Sequence, residues 1–197
     1  MDGNGRWAQA KLLSRSVGHY YGGLNIQNIV LAAINSQRVR MLSLFVFSCD
    51  NFQRPQEEVD FIFNQPLEYL NASRIENIVK SNIVIKHLGY EDQIPPKFLV
   101  LLKHLIEVTK NNTGLIINLA INYSSRREIH EGILLDEPVD LVIRTGRRKR
   151  LSDFLLYQSA YAEIYFSHIL WPSFKPRHFL RALNFYDRQK RTFGKIS

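Results

Sequence analysis

Four hydrophobic, β-branched runs alternate along the chain with segments of helical periodicity. The runs occupy residues 39–47, 83–88, 115–121 and 139–143. Each run is almost continuously apolar, which is typical of strands covered on both faces of a parallel sheet. We therefore expect these four runs to be strands of one sheet.

Between these runs the apolar residues recur at the spacing of amphipathic helices. In HYYGGLNIQNIVLAAIN the three-and-four spacing of Ile26, Ile29, Val30, Ala33 and Ile34 predicts a helix. A second helix is expected to start at Pro55, a favourable first helical position, and to be kinked by Pro66. Further helices are expected at residues 96–109, 154–165 and 176–190. The NNTG stretch at 111–114 predicts a turn.

Alternation of strands and helices predicts an α/β fold with a mainly parallel central sheet flanked by helices. The length of 197 residues is expected for a single domain covering 1–197. The longest apolar runs, such as MLSLFVF, are too short to cross a bilayer. Cys49 is the one cysteine, which favours a reducing compartment and a cytoplasmic location.

Charge narrows the class of ligand without choosing one. The chain has 26 basic and 18 acidic residues, a net charge of +8 and an isoelectric point near 9.7. Such a protein attracts anions, whether nucleic acid, lipid headgroups or a phosphorylated small molecule.

Polar stretches follow three of the predicted strands, at residues 48–54, 122–127 and 144–152. Open α/β sheets bind ligands beyond the carboxyl ends of their strands, so we expect a site at that edge. The opening MDGNGRWA has similar chemistry. Gly3 and Gly5 let backbone N–H groups approach a phosphate, and Arg6 adds a planar cation. Asp2 would repel that phosphate unless a cation such as Mg²⁺ lay between them.

Each of these stretches also has an ordinary structural interpretation. Short glycine motifs occur in polar turns, and the basic run from Arg144 to Arg150 is either a solvated loop or an anion site. FSCDNFQRP could be a plain Asp-Asn turn. Glu163 could be a partnered structural glutamate, and His19 a core or helix-start residue. No histidine–cysteine set has zinc spacing, and there is no GxxxxGK[ST] or GxSxG motif.

In combination, the stretches resemble the cis-prenyltransferase family of undecaprenyl and dehydrodolichyl diphosphate synthases. The matching segments are MDGNGRWA, GHYYGG, FSCDNFQRPQEEVDF, TKNNTGLIINLAINY, VDLVIRTG and RLSDFLLYQSAYAEIYFSHILWP. The resemblance implies an Mg²⁺-dependent homodimer with a hydrophobic tunnel. It would condense isopentenyl diphosphate with an allylic diphosphate, commonly farnesyl diphosphate, into a poly-cis polyprenyl diphosphate for dolichol-type lipids. Such an enzyme would work at a membrane face, in the endoplasmic reticulum or plastid of a eukaryote.

The resemblance also implies roles for individual residues. Asp2 and Glu163 match positions that hold magnesium, and Ser48 and Asn51 match positions near the reacting carbons. The helix VDFIFNQPLEYL matches a tunnel wall, with Phe61, Phe63 and Leu67 limiting product length. The allylic diphosphate would contact Gly3, Asn4, Gly5, Arg6, Trp7, Arg15, His19 and Arg54. Isopentenyl diphosphate would contact Arg144, Arg150 and Ser152.

The chain departs from the family in three places. The family has a strand immediately before the segment matching MDGN, and a longer helical segment where this chain has residues 130–137. We therefore expect a domain truncated at its amino end and shortened near 130–137. Thr192 stands where the family has the arginine of a motif that reaches across the dimer.

These departures leave two alternatives to the enzyme. One is a catalytically weak or inactive subunit that partners an intact relative. The other is a nucleic-acid-binding module that uses residues 147–150. This module would bind less tightly as salt increases, but it gives the acid-and-glycine opening no role.

Overall fold

The computed structural model describes residues 1–191, and Thr192 lies outside them. Seven α-helices and five strands occur in the described part of the chain. The helices are α1 (Asn4–Gln9), α2 (Arg15–Ser36), α3 (Gln56–Tyr69), α4 (Ala72–Lys80), α5 (Pro96–Thr109), α6 (Ser125–Glu131) and α7 (Pro176–Tyr186). The strands are β1 (Met41–Ser48), β2 (Val84–Leu88), β3 (Ile116–Tyr123), β4 (Leu141–Arg144) and β5 (Glu163–Phe166).

The strands form two parallel sheets where the sequence predicted one. β1, β3 and β2 form a three-stranded sheet in that spatial order, and β4 pairs with β5 in a separate two-stranded sheet. All three pairings are parallel. Ser48 pairs with Tyr123, so β1 and β3 end together. The predicted parallel α/β architecture flanked by helices is thus confirmed, but the strands form two sheets, with β1 in one and β4 in the other.

Helix α2 holds the opening segment of the chain in place. Its amino end is capped by Ser14, whose Oγ accepts from the Val17 N–H at 3.4 Å. A Cβ atom at Gly18 would lie 2.2 Å from the carbonyl oxygen of Asn4, and one at Gly22 would lie 2.4 Å from its Oδ1. Glycine at these two positions therefore lets α1 pack directly on α2.

The largest apolar core joins β1, β3, β2, α2 and the carboxyl-terminal segment. Its buried members include Ala33, Leu44, Ile117, Phe174 and Phe179. A second cluster packs α3 and α5 against the ends of β1 and β3, and a third joins β2 and β3 to Leu135 and Leu155.

Most of the predicted elements are confirmed, but the helix expected at 154–165 is wrong. Ser152, Asp153 and Leu155 have positive φ values of 53°, 61° and 47°, which are incompatible with a continuing right-handed helix. The segment turns, and Glu163–Phe166 extends as β5 against β4. Helices α1, α4 and α6 were not expected, and α7 ends at Tyr186 rather than at residue 190.

Candidate active site

The backbone of Asp2 is fixed beside the carboxyl end of β4. The Asp2 N–H donates to Thr145 Oγ at 2.9 Å, and the Thr145 hydroxyl donates to the Asp2 carbonyl at 2.9 Å. The N–H of Trp171 also donates to that carbonyl, at 3.1 Å. Thr145 is 3% exposed, so this reciprocal pair is shielded from water. The start of the chain is thereby attached to the segment that carries the basic loop.

The Asp2 carboxylate bridges two arginines from distant parts of the chain. Arg6 donates to Oδ1 at 2.8 Å, and Arg144 donates to Oδ2 at 3.0 Å. Burial alone would raise the pKa of Asp2, but the hydrogen bonds from Arg144 and Arg6 outweigh burial and the pKa is lowered. Asp2 is therefore an ionised oxygen donor at neutral pH.

Two glycines allow the close approach of these segments. Gly3 has φ +120°, and a Cβ atom there would lie 2.9 Å from Leu170 Cδ2. Gly146 has φ +86°, and a Cβ atom would lie 2.8 Å from the Asp2 carbonyl oxygen. Both positions combine positive φ with a steric limit, which explains the glycines of DGNGR and RTG. Arg6 also donates to the Gly146 carbonyl at 2.5 Å.

Glu58 gathers two arginines and a histidine beside the opening segment. Its carboxylate lies 3.0 Å from Arg15 Nε, 3.0 Å from His19 Nε2 and 3.0 Å from Arg54 Nη1. The Glu58 side chain is 9% exposed, whereas that of Arg15 is 65% exposed. Burial alone would raise the pKa of Glu58, but the arginines lower it.

His19 lies between Glu58 and the opening segment. Its Nδ1 is 3.5 Å from Asn4 Nδ2, and Asn4 Oδ1 is buried without a hydrogen-bond partner among residues 1–191. Burial lowers the pKa of His19, although the Glu58 carboxylate opposes the change and Arg54 and Arg15 add to it. Its imidazole is therefore predominantly neutral at neutral pH.

Ser48 and Asn51 lie where β1 passes into the 3-10 turn Cys49–Gln53. Asn51 Oδ1 accepts from the Ser48 N–H at 3.2 Å, which fixes the amide beside the end of the strand. Phe52 turns inward, with its ring centroid 4.8 Å from that of Phe47. This turn directs polar groups toward the carboxyl ends of the strands, which we call the rim, and it packs the Phe52 side chain into the interior.

The basic loop after β4 folds back on Arg144. Arg144 Nη1 donates to Ser152 Oγ at 2.7 Å and also to the Arg150 carbonyl. Its Nε is buried and has no hydrogen-bond partner in the described part of the chain. Asp153 anchors the same loop by accepting from Ser124 Oγ at 2.6 Å and from the Arg126 N–H at 2.9 Å.

One cavity of about 1100 Å³ brings most of the candidate residues together. Its lining includes Asp2, Gly3, Asn4, Gly5, Arg6, Arg15, His19, Ser48, Asn51, Arg54, Arg144, Arg150 and Ser152. Trp7 is not among the lining residues. Its Nε1 donates to Ser173 Oγ at 2.8 Å, and its ring packs on Tyr21, so its contacts are those of a packing residue.

The structure does not bring Glu163 to this rim within one chain. Glu163 pairs with Leu141 at the amino end of β4, whereas Arg144 at the carboxyl end pairs with Phe166. Three strand positions separate the two ends, which corresponds to about 10 Å. No group of three or more metal-ligating side chains occurs among residues 1–191. The call that Asp2 and Glu163 hold magnesium stays a prediction, and Glu163 begins strand β5 instead of lying on the helix expected at 154–165.

The expected tunnel wall is largely packed against its neighbours. Phe63 is 2% exposed, and its ring centroid lies 4.9 Å from that of Phe47 and 5.1 Å from that of Phe98. Phe61 and Leu67 are partly exposed. Ile62, which was not singled out from the sequence, is the member of α3 that lines the cavity.

Comparison with known proteins decides the family. A family sequence model described as "Putative undecaprenyl diphosphate synthase" matches residues 1–135 and 133–194. The chain belongs to this family. An isoprenyl transferase from Geobacillus kaustophilus is 35% identical over 225 aligned residues, covering 100% of this chain and 87% of the relative. One from Lactobacillus johnsonii is 36% identical over 227, covering 100% and 94%.

Solved structures agree with the assignment to the undecaprenyl diphosphate synthase family. Lavandulyl diphosphate synthase from Lavandula x intermedia, in complex with dimethylallyl diphosphate, superposes with a TM-score of 0.89 at 25% identity. That match covers 99% of this chain and 95% of the other. A probable undecaprenyl diphosphate synthase from Campylobacter jejuni gives 0.75 at 34% identity, covering 89% and 92%. The activity class of this family member is that of a prenyltransferase.

Two site residues were not recognised as such from the sequence. The sequence analysis gave Glu58 no role in the site, although Arg54 lies four positions before it, a spacing at which side chains meet when the chain is helical. Thr145 lies in the basic run from Arg144 to Arg150 and was given no role of its own. Nothing in the sequence indicated that the Thr145 hydroxyl would form hydrogen bonds with the backbone of Asp2, 143 positions away.

Proposed function

We propose that this prenyltransferase condenses isopentenyl diphosphate with an allylic diphosphate to make a poly-cis polyprenyl diphosphate. The observation that carries the proposal is the meeting of Asp2 with Arg144 at one rim, with two sets of cationic groups around the same cavity. Two diphosphates bound side by side require this arrangement of two basic sites next to one carboxylate.

The two substrates would occupy different parts of the rim. We assign the allylic diphosphate to two groups of residues. The opening segment provides Gly3, Asn4, Gly5 and Arg6, and the side chains gathered by Glu58 are Arg15, His19 and Arg54. Isopentenyl diphosphate would bind Arg144, Arg150 and Ser152, where the buried Arg144 Nε has no protein partner in the described part of the chain. Ser48 and Asn51 lie on the same cavity and would face the reacting carbons.

The chemistry of these groups suits loss of a diphosphate. As the allylic carbon–oxygen bond breaks, negative charge develops on the diphosphate oxygens, and fixed arginines and backbone N–H groups stabilise that charge where it forms. The C4 methylene carbon of isopentenyl diphosphate bonds to the allylic carbon, and loss of a proton gives the new double bond. Holding both substrates in register removes much of the entropic barrier to this reaction.

Magnesium fits the donor set at Asp2. Mg²⁺ is usually held by one or two carboxylates together with substrate phosphates and water, rather than by a closed set of protein ligands. Asp2 supplies one ionised carboxylate at the rim, and the described residues form no closed metal cluster. When bound, the ion would neutralise diphosphate charge. A contribution from Glu163 would require a second chain, which a homodimer or a heteromer with a related subunit would provide.

The allylic substrate and the use of the product are proposed from the reaction chemistry and from the resemblance to the family. Farnesyl diphosphate is our proposed starter, and a dolichol-type lipid carrier is the proposed end use. The growing polyprenyl tail would pass along α3, where burial of each methylene group contributes about 0.8 kcal/mol of favourable free energy. None of the helices within residues 1–191 has the length and apolarity needed to span a bilayer. We propose a cytoplasmic protein that contacts a membrane face, of the endoplasmic reticulum or plastid in a eukaryote, peripherally through its lipid product.

The proposal is tested with purified protein, radiolabelled isopentenyl diphosphate and Mg²⁺. Farnesyl and dimethylallyl diphosphate are supplied separately as starters, and labelled lipid is sized by chromatography. We expect long labelled products from farnesyl diphosphate that disappear when the metal is chelated. No product from either starter would contradict the proposal, and activity restored by mixing with an intact relative would instead identify a partner subunit. The family match does not favour that alternative or the nucleic-acid module.

A further inference from the structure

Two adjacent leucines are exposed at the turn between α1 and α2. Leu12 is 96% exposed, which makes it the most exposed of the large hydrophobic side chains within residues 1–191, and Leu13 is 43% exposed. They belong to a continuous exposed stretch from residue 9 to residue 15. Single exposed apolar residues are common on protein surfaces, but two together in an exposed turn form a small apolar surface that requires a reason.

The stability of the fold does not explain Leu12. Its N–H donates to the Gln9 carbonyl at 3.1 Å, and the Leu13 N–H donates to the Ala8 carbonyl at 2.9 Å. This is the hydrogen-bond pattern of a helix end whose left-handed residue is usually glycine. Leu12 occupies that position with φ 57°. Neither this backbone conformation nor contact with water favours a leucine, so a contact outside the chain would explain its presence.

The charge around the two leucines is positive. Lys11 and Arg15 flank them, and the sequence has no acidic residue from Gly3 to Cys49. The Arg15 side chain is 65% exposed although it pairs with Glu58. Lys11 is exposed and forms no ion pair with any other residue in the described part of the chain. Cations beside exposed apolar side chains suit a partner that is anionic at its surface and apolar beneath it.

Aromatic side chains connect this turn to two exposed tyrosines of α2. Lys11 Nζ lies 5.2 Å from the centroid of the Trp7 ring, and that ring lies 5.1 Å from the ring of Tyr21. Tyr20 follows at 5.6 Å from Tyr21. The two tyrosines are 42% and 46% exposed. Tyrosine combines an apolar ring with a polar hydroxyl and is enriched at membrane–water interfaces.

The turn also borders the active-site cavity. A hollow of about 530 Å³ beside the turn is lined by Gly5, Arg6, Gln9, Leu12, Leu13, Ser14 and Arg15. Three of these residues, Gly5, Arg6 and Arg15, line the active-site cavity as well. A partner that contacts the leucines therefore lies next to the part of the rim that we assign to the allylic diphosphate.

We propose that an anionic phospholipid bilayer binds the docking surface formed by Lys11, Leu12, Leu13, Arg15, Tyr20 and Tyr21. The leucines insert among the acyl chains, and the two cations contact lipid phosphates. Six residues are far fewer than the roughly 20 that each partner contributes to a stable protein–protein interface, whereas reversible membrane binding needs only a few apolar and basic side chains. This direct contact is separate from contact through a lipid product, so it does not depend on the proposed function.

The test is co-sedimentation of the full chain, without substrates, with vesicles of phosphatidylcholine alone or with about one third phosphatidylserine. We expect binding to the mixed vesicles that weakens as salt is raised. Leu12→Asn should weaken this binding at least about fivefold without lowering the melting temperature, because asparagine tolerates the left-handed conformation. The matched control is Val100→Gln. Val100 is 69% exposed on α5, which packs against β2, α3 and α4, and its replacement should change the affinity by less than about twofold.

A charge variant tests the contribution of the cations. Lys11→Gln should weaken binding to the mixed vesicles about fivefold and leave any binding to phosphatidylcholine vesicles unchanged. Failure of the unaltered protein to bind mixed vesicles, or equal binding by Leu12→Asn, would overturn the proposal. It would also be overturned if Leu12→Asn changed the oligomeric state and left vesicle binding intact, because the surface would then join copies of the chain. None of these readouts involves transferase activity, so their failure would leave the proposed function standing.

Discussion

Arg144 Nη2 lies 3.0 Å from Asp2 Oδ2, although 142 positions separate the two residues in the chain. The contact joins the glycine-containing opening of the chain to the basic loop after β4. Thr145 strengthens the junction by exchanging two hydrogen bonds with the Asp2 backbone. The two stretches with the clearest phosphate chemistry therefore form one site, which is the basis of the proposed condensation.

Glu58 is expected to be a positioning residue for the allylic diphosphate. Glu58→Gln removes the negative charge that Arg15 and Arg54 share and that faces His19, so the two arginines should separate by mutual repulsion. The contacts with the two arginines lose their charge assistance, and we expect the KM for the allylic substrate to rise about tenfold with a smaller change in kcat. Steady-state kinetics with each substrate varied in turn makes this measurement.

The matched control for Glu58 is its neighbour in the same helical turn. Glu57 is exposed, and no ion pair involving it occurs among the described residues. Glu57→Gln should leave both KM values within about twofold of the unaltered enzyme. If Glu58→Gln lowered kcat with its KM values unchanged, the positioning role would be wrong.

His19 should make folding stability depend on pH in the weakly acidic range. The pKa of His19 in the folded protein lies below the ordinary value near 6.5. Between these two pKa values the unfolded chain therefore binds a proton that the folded chain does not bind. The free energy of unfolding should therefore fall as pH drops through about 6.5 toward the folded pKa. Denaturant titrations between pH 8 and pH 5 should show that His19→Gln flattens this component. Parallel pH profiles for the two proteins would contradict the assignment.

Glu128 should stabilise the segment that follows α6. It is fully buried and accepts hydrogen bonds from the Tyr123 hydroxyl, from Gln158 Nε2 at 2.8 Å and from the N–H groups of Leu134 and Leu135 at 2.9 and 3.1 Å. Glu128→Ala leaves these buried donors unsatisfied, and the free energy of unfolding should fall by at least about 3 kcal/mol.

Glu131 provides the comparison for Glu128 because it lies on the same helix and is exposed. It forms a surface ion pair with Arg127 at 2.9 Å. Glu131→Ala should lower the free energy of unfolding by less than about 1 kcal/mol in the same denaturant titration. Equal losses in the two variants would show that the buried network does not stabilise residues 133–135.

Strand positions and the site at their carboxyl ends could be predicted because both depend on local patterns. The strand at 115–121 reads as an almost continuous apolar run and is mostly buried, and the structure places β3 there. The strand at 83–88 is apolar apart from Lys86, which is exposed, and His87, and the structure places β2 there. Polar residues directly after a strand must lie at its end. The rim residues around Ser48 and Arg144 therefore follow from the sequence.

The segment from Ser152 to Phe166 could not be predicted because non-local contacts override its helical periodicity. Asp153 is held by Ser124 and Arg126, and Gln158 by Glu128 and the Leu135 carbonyl. These partners impose left-handed φ values that no periodicity indicates. The same limit explains why Glu163 was expected on a helix and why the role of Thr145 was not recognised, since both depend on partners distant in the chain.

Asp2 is the residue on which the proposed reaction depends most directly. Asp2→Asn keeps the size of the side chain and one oxygen acceptor but removes the charge that Mg²⁺ and the two arginines require. The measurement is incorporation of labelled isopentenyl diphosphate into lipid, with farnesyl diphosphate as starter and excess Mg²⁺. We predict at least about a 100-fold lower rate for Asp2→Asn, with a melting temperature close to that of the unaltered protein. Undiminished incorporation by the folded variant would contradict the account.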